Sequence, residues 1–154
     1  MSTADVESRP SPIAGLGLFA KREFALGERI APYSGPTTTE PPSEVSSSGK
    51  VYALEIAPGR WLDGSSADNP SRHANHACQP NAELIWHEEE SMAWLTALRP
   101  IAAAEEITFD YGFSLAESLF HPCACGAAVC VGRIIADPLR PALRRHLRFS
   151  RPRD

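Results

Sequence analysis

Long apolar runs are missing from this 154-residue chain, and so are long stretches free of proline. No segment approaches the ~20 apolar residues that a membrane-crossing helix needs, and we expect no such span. The first ten residues, MSTADVESRP, lack the basic-then-apolar pattern of a secretory signal, so none is expected. Fourteen prolines run from Pro10 to Pro152 and leave no room for a long helix before Asp137. A helix bundle or a coiled coil is thereby disfavoured. Three side-chain types are scarce enough to stand out: two lysines (Lys21 and Lys50), three tyrosines and four cysteines.

The remaining composition is that of one ordinary folded domain, 43% hydrophobic and 22% charged. The net charge of −4 hides a split. Residues 1–138 carry nine basic and eighteen acidic side chains, whereas residues 139–154 carry six arginines and one acid. An acidic body attracts basic partners and repels nucleic acid, and the basic end does the opposite.

Short apolar stretches separated by turn signals predict strands over 17–20, 29–33, 51–56, 60–63, 82–86, 92–98 and 106–109. Glu88-Glu89-Glu90-Ser91 reads as a hairpin tip, and the Thr-, Ser- and Pro-rich stretch 37–49 as a surface loop. Asn69-Pro70 opens a short helical turn with Asn69 as its cap. Ser114-Leu115-Ala116-Glu117 fits a capping box. Asp137-Pro138 starts the best helix, with Leu139, Leu143 and Leu147 along one face. We read that helix as a packing element with solvated arginines rather than a nucleic-acid contact.

The cysteines are Cys78, Cys123, Cys125 and Cys130, the last three as C-x-C-x4-C. A tetrahedral zinc site needs four ligands, and closely spaced cysteines supply several from one loop. Gly126 lets the backbone turn tightly there. Cys78 completes the set only if the fold brings it beside Cys123. The alternatives are two disulfides or four ordinary thiols, and C-x-C is a poor pair for an unstrained disulfide.

Four segments carry a more specific signal: Gly15-Leu16-Gly17-Leu18-Phe19-Ala20, Tyr33-Ser34-Gly35, Arg72 to Asn81 (with Asn75-His76-Ala77-Cys78-Gln79-Pro80-Asn81), and Glu105-Glu106-Ile107-Thr108-Phe109-Asp110-Tyr111-Gly112. In this order, with C-x-C-x4-C behind them, they resemble the SET-domain protein lysine methyltransferases with a post-SET zinc loop. The resemblance runs from about residue 12 to 134.

The resemblance implies a mainly β, β-clip-like fold of small sheets, a pseudoknot, short helices and a C-terminal helix. It divides the chain into an N-terminal arm (1–11), a SET catalytic domain (12–113), a post-SET zinc loop (114–134) and a basic C-terminal helix and tail (135–154). It implies methyl transfer from S-adenosylmethionine to a lysine of a basic protein such as a histone. Tyr111 is then the catalytic tyrosine, with Tyr33 and Tyr52 also facing the lysine channel. Gly15, Leu16, Gly17, Arg72, Asn75, His76 and Tyr111 hold the cofactor or shape its segment, with Asn75 acting through its amide and His76 through its backbone. Phe109 falls where the number of methyl groups is governed. One structural zinc is implied on Cys78, Cys123, Cys125 and Cys130.

Departures from the family pattern are His73-Ala74 after Arg72, Ala77, Pro36 after Gly35, and no cysteine-rich segment before residue 12. They bear on substrate identity more than on catalysis. Two other functions remain: a catalytically silent SET-like binding module, and a zinc-ribbon nucleic-acid binder that uses the arginine-rich end. The expected partner is a basic protein or peptide, with no membrane and no nucleic acid; oligomeric state is open. The expected location is intracellular, cytoplasmic in a bacterium or nuclear in a eukaryote, with a secreted effector as the alternative.

Overall fold

The structure is a computed structural model that describes residues 4–40 and 52–150. Among the described residues, ten strands form three small sheets. Strands β1 (Val6–Pro10) and β2 (Leu16–Ala20) pair antiparallel, and β2 pairs with β10 (Glu106–Phe109). The last member of this sheet, β7 (Asn75–His76), runs parallel to β10 with Thr108 opposite Asn75 and Phe109 opposite His76. The second sheet is β3 (Arg29–Tyr33), β9 (Met92–Ala97) and β8 (Ala82–His87). The third is β4 (Thr37–Thr38), β6 (Arg60–Asp63) and β5 (Ala53–Ala57).

The period of two explains the central strand of the second sheet: Ala93, Leu95 and Ala97 of β9 are buried on one face. Leu95 and Ala97 join Leu18, Phe24, Ile30, Ile101, Ile107 and Phe109 in one core cluster, and Ala93 joins Tyr33 and Leu62 in a second. Residues 88–91 form the turn of the β8–β9 hairpin. The bounds of β3, β6 and β10 are those that the sequence predicts, and β2, β5, β8 and β9 differ at their ends by one or two residues. Within the predicted strand 51–56 and the predicted loop 37–49, residues 41–51 lie outside the described residues.

Besides the two-residue strand β7, which the sequence does not predict, three elements differ from expectation. Residues 6–10, expected as part of an arm, form an edge strand because β2 offers them a full antiparallel register. Thr37–Thr38, expected in a loop, pairs with Leu62 and Trp61. The helical turn Pro70–His73 forms, but the Asn69 side chain does not cap it. That amide is fully buried, donates to Gly64 O at 2.9 Å and accepts from Ser34 N, so it joins three chain segments instead.

Helix α1 (Leu115–Ser118) opens on the predicted capping box, with Ser114 and Glu117 bonding each other's backbone N–H. Helix α2 (Arg140–Phe149) follows a 3₁₀ turn at Asp137–Leu139. Of its expected apolar stripe, Leu143 is fully buried and Leu139 is exposed. Its arginines are not all solvated: Arg140 is buried. No helix among the described residues is long and apolar enough to cross a membrane.

Candidate active site and cysteine cluster

Parallel pairing of β7 with β10 sets the Asn75-His76 segment beside the Phe109-Asp110-Tyr111 segment. Asn81, 2% exposed, stitches them further. Its amide donates to Glu106 O at 2.7 Å and Glu105 Oε1 at 3.1 Å, and its Oδ1 accepts the Thr108 N–H at 2.9 Å. Asp110 turns the chain after β10 by accepting Gly112 N, and it accepts Asp137 N from the C-terminal segment.

Beside these segments lies a cavity of about 380 Å³. Asn75, His76, Tyr111 and Tyr52 line one part, and Phe113, His121, Pro122, Cys123, Ala124 and Ile134 close it from the chain beyond β10. Ile13 and Ala14 close it from the loop before β2. The volume is that of a small-molecule site. Among the described residues, no Asp, Glu, Lys or Arg is in this lining.

Each predicted residue has a definite place. Tyr111 donates its hydroxyl to Ala74 O at 2.8 Å, and its ring lies 4.9 Å from Phe109 and 5.7 Å from Phe113. Tyr33 is buried behind the cavity, edge-on to Phe109 at 6.4 Å, and donates to Tyr52 O at 2.9 Å. Gly64 packs so close to the Tyr33 ring that an added Cβ would lie 2.1 Å from it. Burial is the main cause holding the Tyr33 and Tyr111 phenols above their ordinary range, with neighbouring phenols adding to it, so both are neutral at pH 7.

The Asn75 amide nitrogen is surrounded by acceptors: Ala14 O and Leu16 O at 3.1 Å and Glu106 Oε1 at 2.9 Å. Three acceptors fix which end of the amide is nitrogen. Glu106 in turn accepts the Ser11 hydroxyl at 2.8 and 2.9 Å. Gly17 belongs to this network: an added Cβ would fall 2.3 Å from Glu106 Oε1 and 2.9 Å from Ser11 Cβ. The glycine expected to admit a ligand thus admits the protein's own carboxylate. Gly15, at φ +46°, turns the loop that presents Ala14 and Leu16. Arg72 is outside the cavity lining and donates to Ser65 O at 2.8 Å.

His76 is 2% exposed, and burial, with the Arg140 charge acting the same way, outweighs Asp110 to push it down to about 4. A neutral ring has one donor and one acceptor. Nδ1 accepts the Tyr111 N–H at 3.2 Å, so Nε2 carries the proton and faces Cys78 Sγ at 3.6 Å.

Cys78, Cys123, Cys125 and Cys130 come together, all four sulfurs lying within 4.8 Å of one another. Sγ of Cys78 and Cys123 are 3.9 Å apart, against an edge of about 3.8 Å for a tetrahedron with ~2.3 Å zinc–sulfur bonds. Backbone N–H groups of Cys78 and Gly132 point at Cys125 and Cys130 sulfurs at 3.5 and 3.3 Å. Burial raises the Cys78 and Cys123 thiols. Burial opposes ionisation of Cys125 too, but N–H groups of Cys78 and Ala127 and the neighbouring thiols bring it down to about 7. Four such sulfurs suit a divalent ion.

Phe113, His121 and Ile134 are cavity residues that motif reading missed. Only Phe113 sits next to a recognisable motif; the other two enter because residues 121–134 fold back, with Ile134 N bonding His121 O and Cys123 N bonding Gly132 O. Glu106 was also missed as a partner of Asn75, although it lies inside the motif, and so was Ser11, which bonds Glu106.

Comparison with known proteins gives a family for this arrangement. The SET domain profile matches residues 15–112. The chain is 32% identical over 129 residues to the histone-lysine N-methyltransferase trr of Drosophila melanogaster, covering 78% of this chain and 5% of that protein. It is 34% identical over 133 residues to Drosophila SETD1 (80% and 8%) and 32% identical over 133 residues to the H3 lysine-4 specific enzyme of Saccharomyces cerevisiae (79% and 12%). The chain therefore spans a small fraction of the length of these relatives. Its fold is similar to the crystal structure of KRYPTONITE in complex with mCHH DNA, an H3(1–15) peptide and SAH, with a TM-score of 0.66, 24% identity, 84% of this chain and 29% of that one. The mainly β architecture and the ordered motifs from Gly15 to Gly112 thus have one explanation: this chain belongs to the SET-domain family.

Proposed function

We propose that this chain is an S-adenosylmethionine-dependent protein lysine methyltransferase. The observation that carries the reading is the shared cavity of Asn75, His76, Tyr52 and Tyr111, set against Tyr33 and Phe109. The named activity of the relatives, histone-lysine N-methylation, supports it.

S-adenosylmethionine, when bound, supplies an electrophilic methyl on a sulfonium. Asn75 turns its nitrogen to the protein, which leaves the amide oxygen to accept from the ligand's ammonium group. The backbone of His76 and the apolar walls Phe113, Pro122 and Ile134 suit an adenine ring. Arg72, placed at Ser65, acts on the segment and not on the ligand.

Lysine reacts only as the neutral amine, and free lysine is mostly protonated at neutral pH. The described residues of the lining offer no carboxylate to take that proton, and neutral Tyr111 is a donor rather than a base. The proton therefore leaves to water before transfer, helped by desolvation and the nearby sulfonium. Tyr111, held by Ala74 O and packed on Phe109 and Phe113, orients amine and methyl. Tyr52 walls the lysine stem, and Tyr33 supports that wall from behind through its bond to Tyr52 O. Phe109, lacking a hydroxyl, leaves room for more than one methyl group.

One zinc on Cys78, Cys123, Cys125 and Cys130 ties residues 123–130 to the Asn75–Cys78 segment and completes the cavity wall at Cys123 and Ala124. The substrate is a basic protein or peptide, histone-like in charge, because residues 1–138 are acidic. Residues 12–113 are the catalytic domain, 114–134 the zinc loop, and the protein works inside the cell. Incubation with methyl-labelled cofactor and a panel of basic proteins, with the modified residue mapped by mass, tests the reading. Labelled lysine in the parent and none in Tyr111→Phe is the expected result. Cofactor binding without methylation of any basic protein would instead favour a silent binding module.

A further inference from the structure

Helix α2 carries four arginines in ten residues: Arg140, Arg144, Arg145 and Arg148. Three are exposed, and Arg140 is 8% exposed. A guanidinium is rarely buried without compensation, because its desolvation is costly. Nη1 pairs with Asp137 Oδ1 at 2.7 Å, but that carboxylate is 71% exposed, so the pair does not account for the burial. Nη2 donates to the carbonyl oxygen of Cys78. Nε is buried with no hydrogen-bond partner.

The acceptor carbonyl belongs to a residue of the four-sulfur cluster. A carbonyl oxygen and the Sγ of the same cysteine are at most about 5 Å apart, which puts the guanidinium within about 8 Å of that sulfur. Its charge also acts on His76, whose Nε2 faces the same sulfur. A divalent ion on four thiolates leaves a net charge of −2 in a partly buried place. Backbone N–H groups, among them those of Cys78 and Gly132, also point at these sulfurs, and they carry no formal charge.

We infer that Arg140 is the counter-cation of the tetrathiolate zinc site, and that it clamps helix α2 onto Cys78. The helix beyond the cysteine loop is thereby part of the metal site. Arg140 acts through the cluster, as a positioning residue. The inference rests on the zinc reading above.

Zinc-loaded full chain, Arg140→Met, Arg140→Lys, Arg140→Gln and a surface control on the same helix, Arg145→Met, are titrated with a chromophoric zinc chelator. Thermal melts are recorded with and without zinc. The expected result for Arg140→Met is zinc affinity weaker by roughly 10- to 100-fold, the range for partners of metal ligands. Arg145→Met should match the parent. Arg140→Lys should hold zinc more tightly than Arg140→Gln, because the charge matters more than the donor geometry. The melting temperature of the zinc-loaded form should fall further than that of the metal-free form. Parental zinc affinity in Arg140→Met overturns the inference, as do equal thermal losses in both forms or Gln outperforming Lys. If Arg140→Met does not fold, the Lys-against-Gln comparison decides. A parent chain that holds no zinc overturns the zinc reading itself, and a parent that holds one zinc with unaffected variants overturns only the role of Arg140.

Discussion

Asn81→Ala removes the stitch between the two motif segments. Asn81 is buried and is not among the residues that line the cavity, so its effect reads out the fold rather than the chemistry. Truncation leaves the Thr108 N–H and the Glu106 carbonyl without the partners they have at 2.9 and 2.7 Å. An orphaned polar group costs about 1–3 kcal/mol, so the two together cost about 2–6 kcal/mol. For a domain of this size that lowers Tm by roughly 5–15 °C. Thermal and urea unfolding at fixed zinc and ligand concentration measures it, because bound ligands shift stability by mass action. Amide exchange at Thr108 should accelerate in the same variant. Asn81→Asp keeps an acceptor for Thr108 but sets an oxygen against Glu106 O and Glu105 Oε1, so its loss should be at least as large at neutral pH. An Ala variant within about 0.5 kcal/mol of the parent, the scatter of inert surface changes, would refute the reasoning. Strand pairing alone would then hold the segments.

Tyr111→Phe removes one hydroxyl bond, worth about 1 kcal/mol; methylation should fall by orders of magnitude while cofactor binding, measured by calorimetry, stays within about twofold. Phe109→Tyr should bias the product toward monomethyl-lysine by mass spectrometry, and an unchanged product distribution would remove Phe109 from that role. Glu105 is held below the ordinary carboxylate value of 4.5 chiefly by its bond to Arg99, then by Ala102 N–H and Asn81. A depressed carboxylate stabilises the fold above its unfolded value and loses that contribution as pH falls through the folded one. Stability of the parent should therefore drop more steeply below about pH 4.5 than that of Glu105→Gln, in parallel acid titrations of the melting temperature. Chelation of zinc, or Cys78→Ser, should raise hydrogen exchange first in residues 114–134 and cost activity, although Cys78 lines no part of the cavity.

Elements whose cause is local were legible in the sequence. β3, β6 and β10 carry their own apolar pattern, and Ser114 and Glu117 satisfy each other within one turn. The cysteine spacing and the Asn75-His76 and Asp110-Tyr111 segments were likewise visible, because they are short runs of chemically specific residues. Features whose cause lies elsewhere in the chain were not. β1 has one buried residue, Val6, and exists because β2 offers it a partner. β7 is two residues long and is defined by β10. The reason for Gly17 is Glu106, some ninety residues away, which only the β2–β10 pairing brings into contact. Asn69 reads as a helix cap from its neighbours, yet it is buried where backbone groups of Ser34 and Gly64 need its amide more than the turn does. Arg140 lies in an arginine-rich helix and reads as solvated, but Cys78 O lies beside it once residues 110–113 and 136–137 are joined. Whether four cysteines form one cluster is a property of chain paths. Their spacing allowed it, and the parallel β7–β10 contact together with the folded-back segment 121–134 decided it.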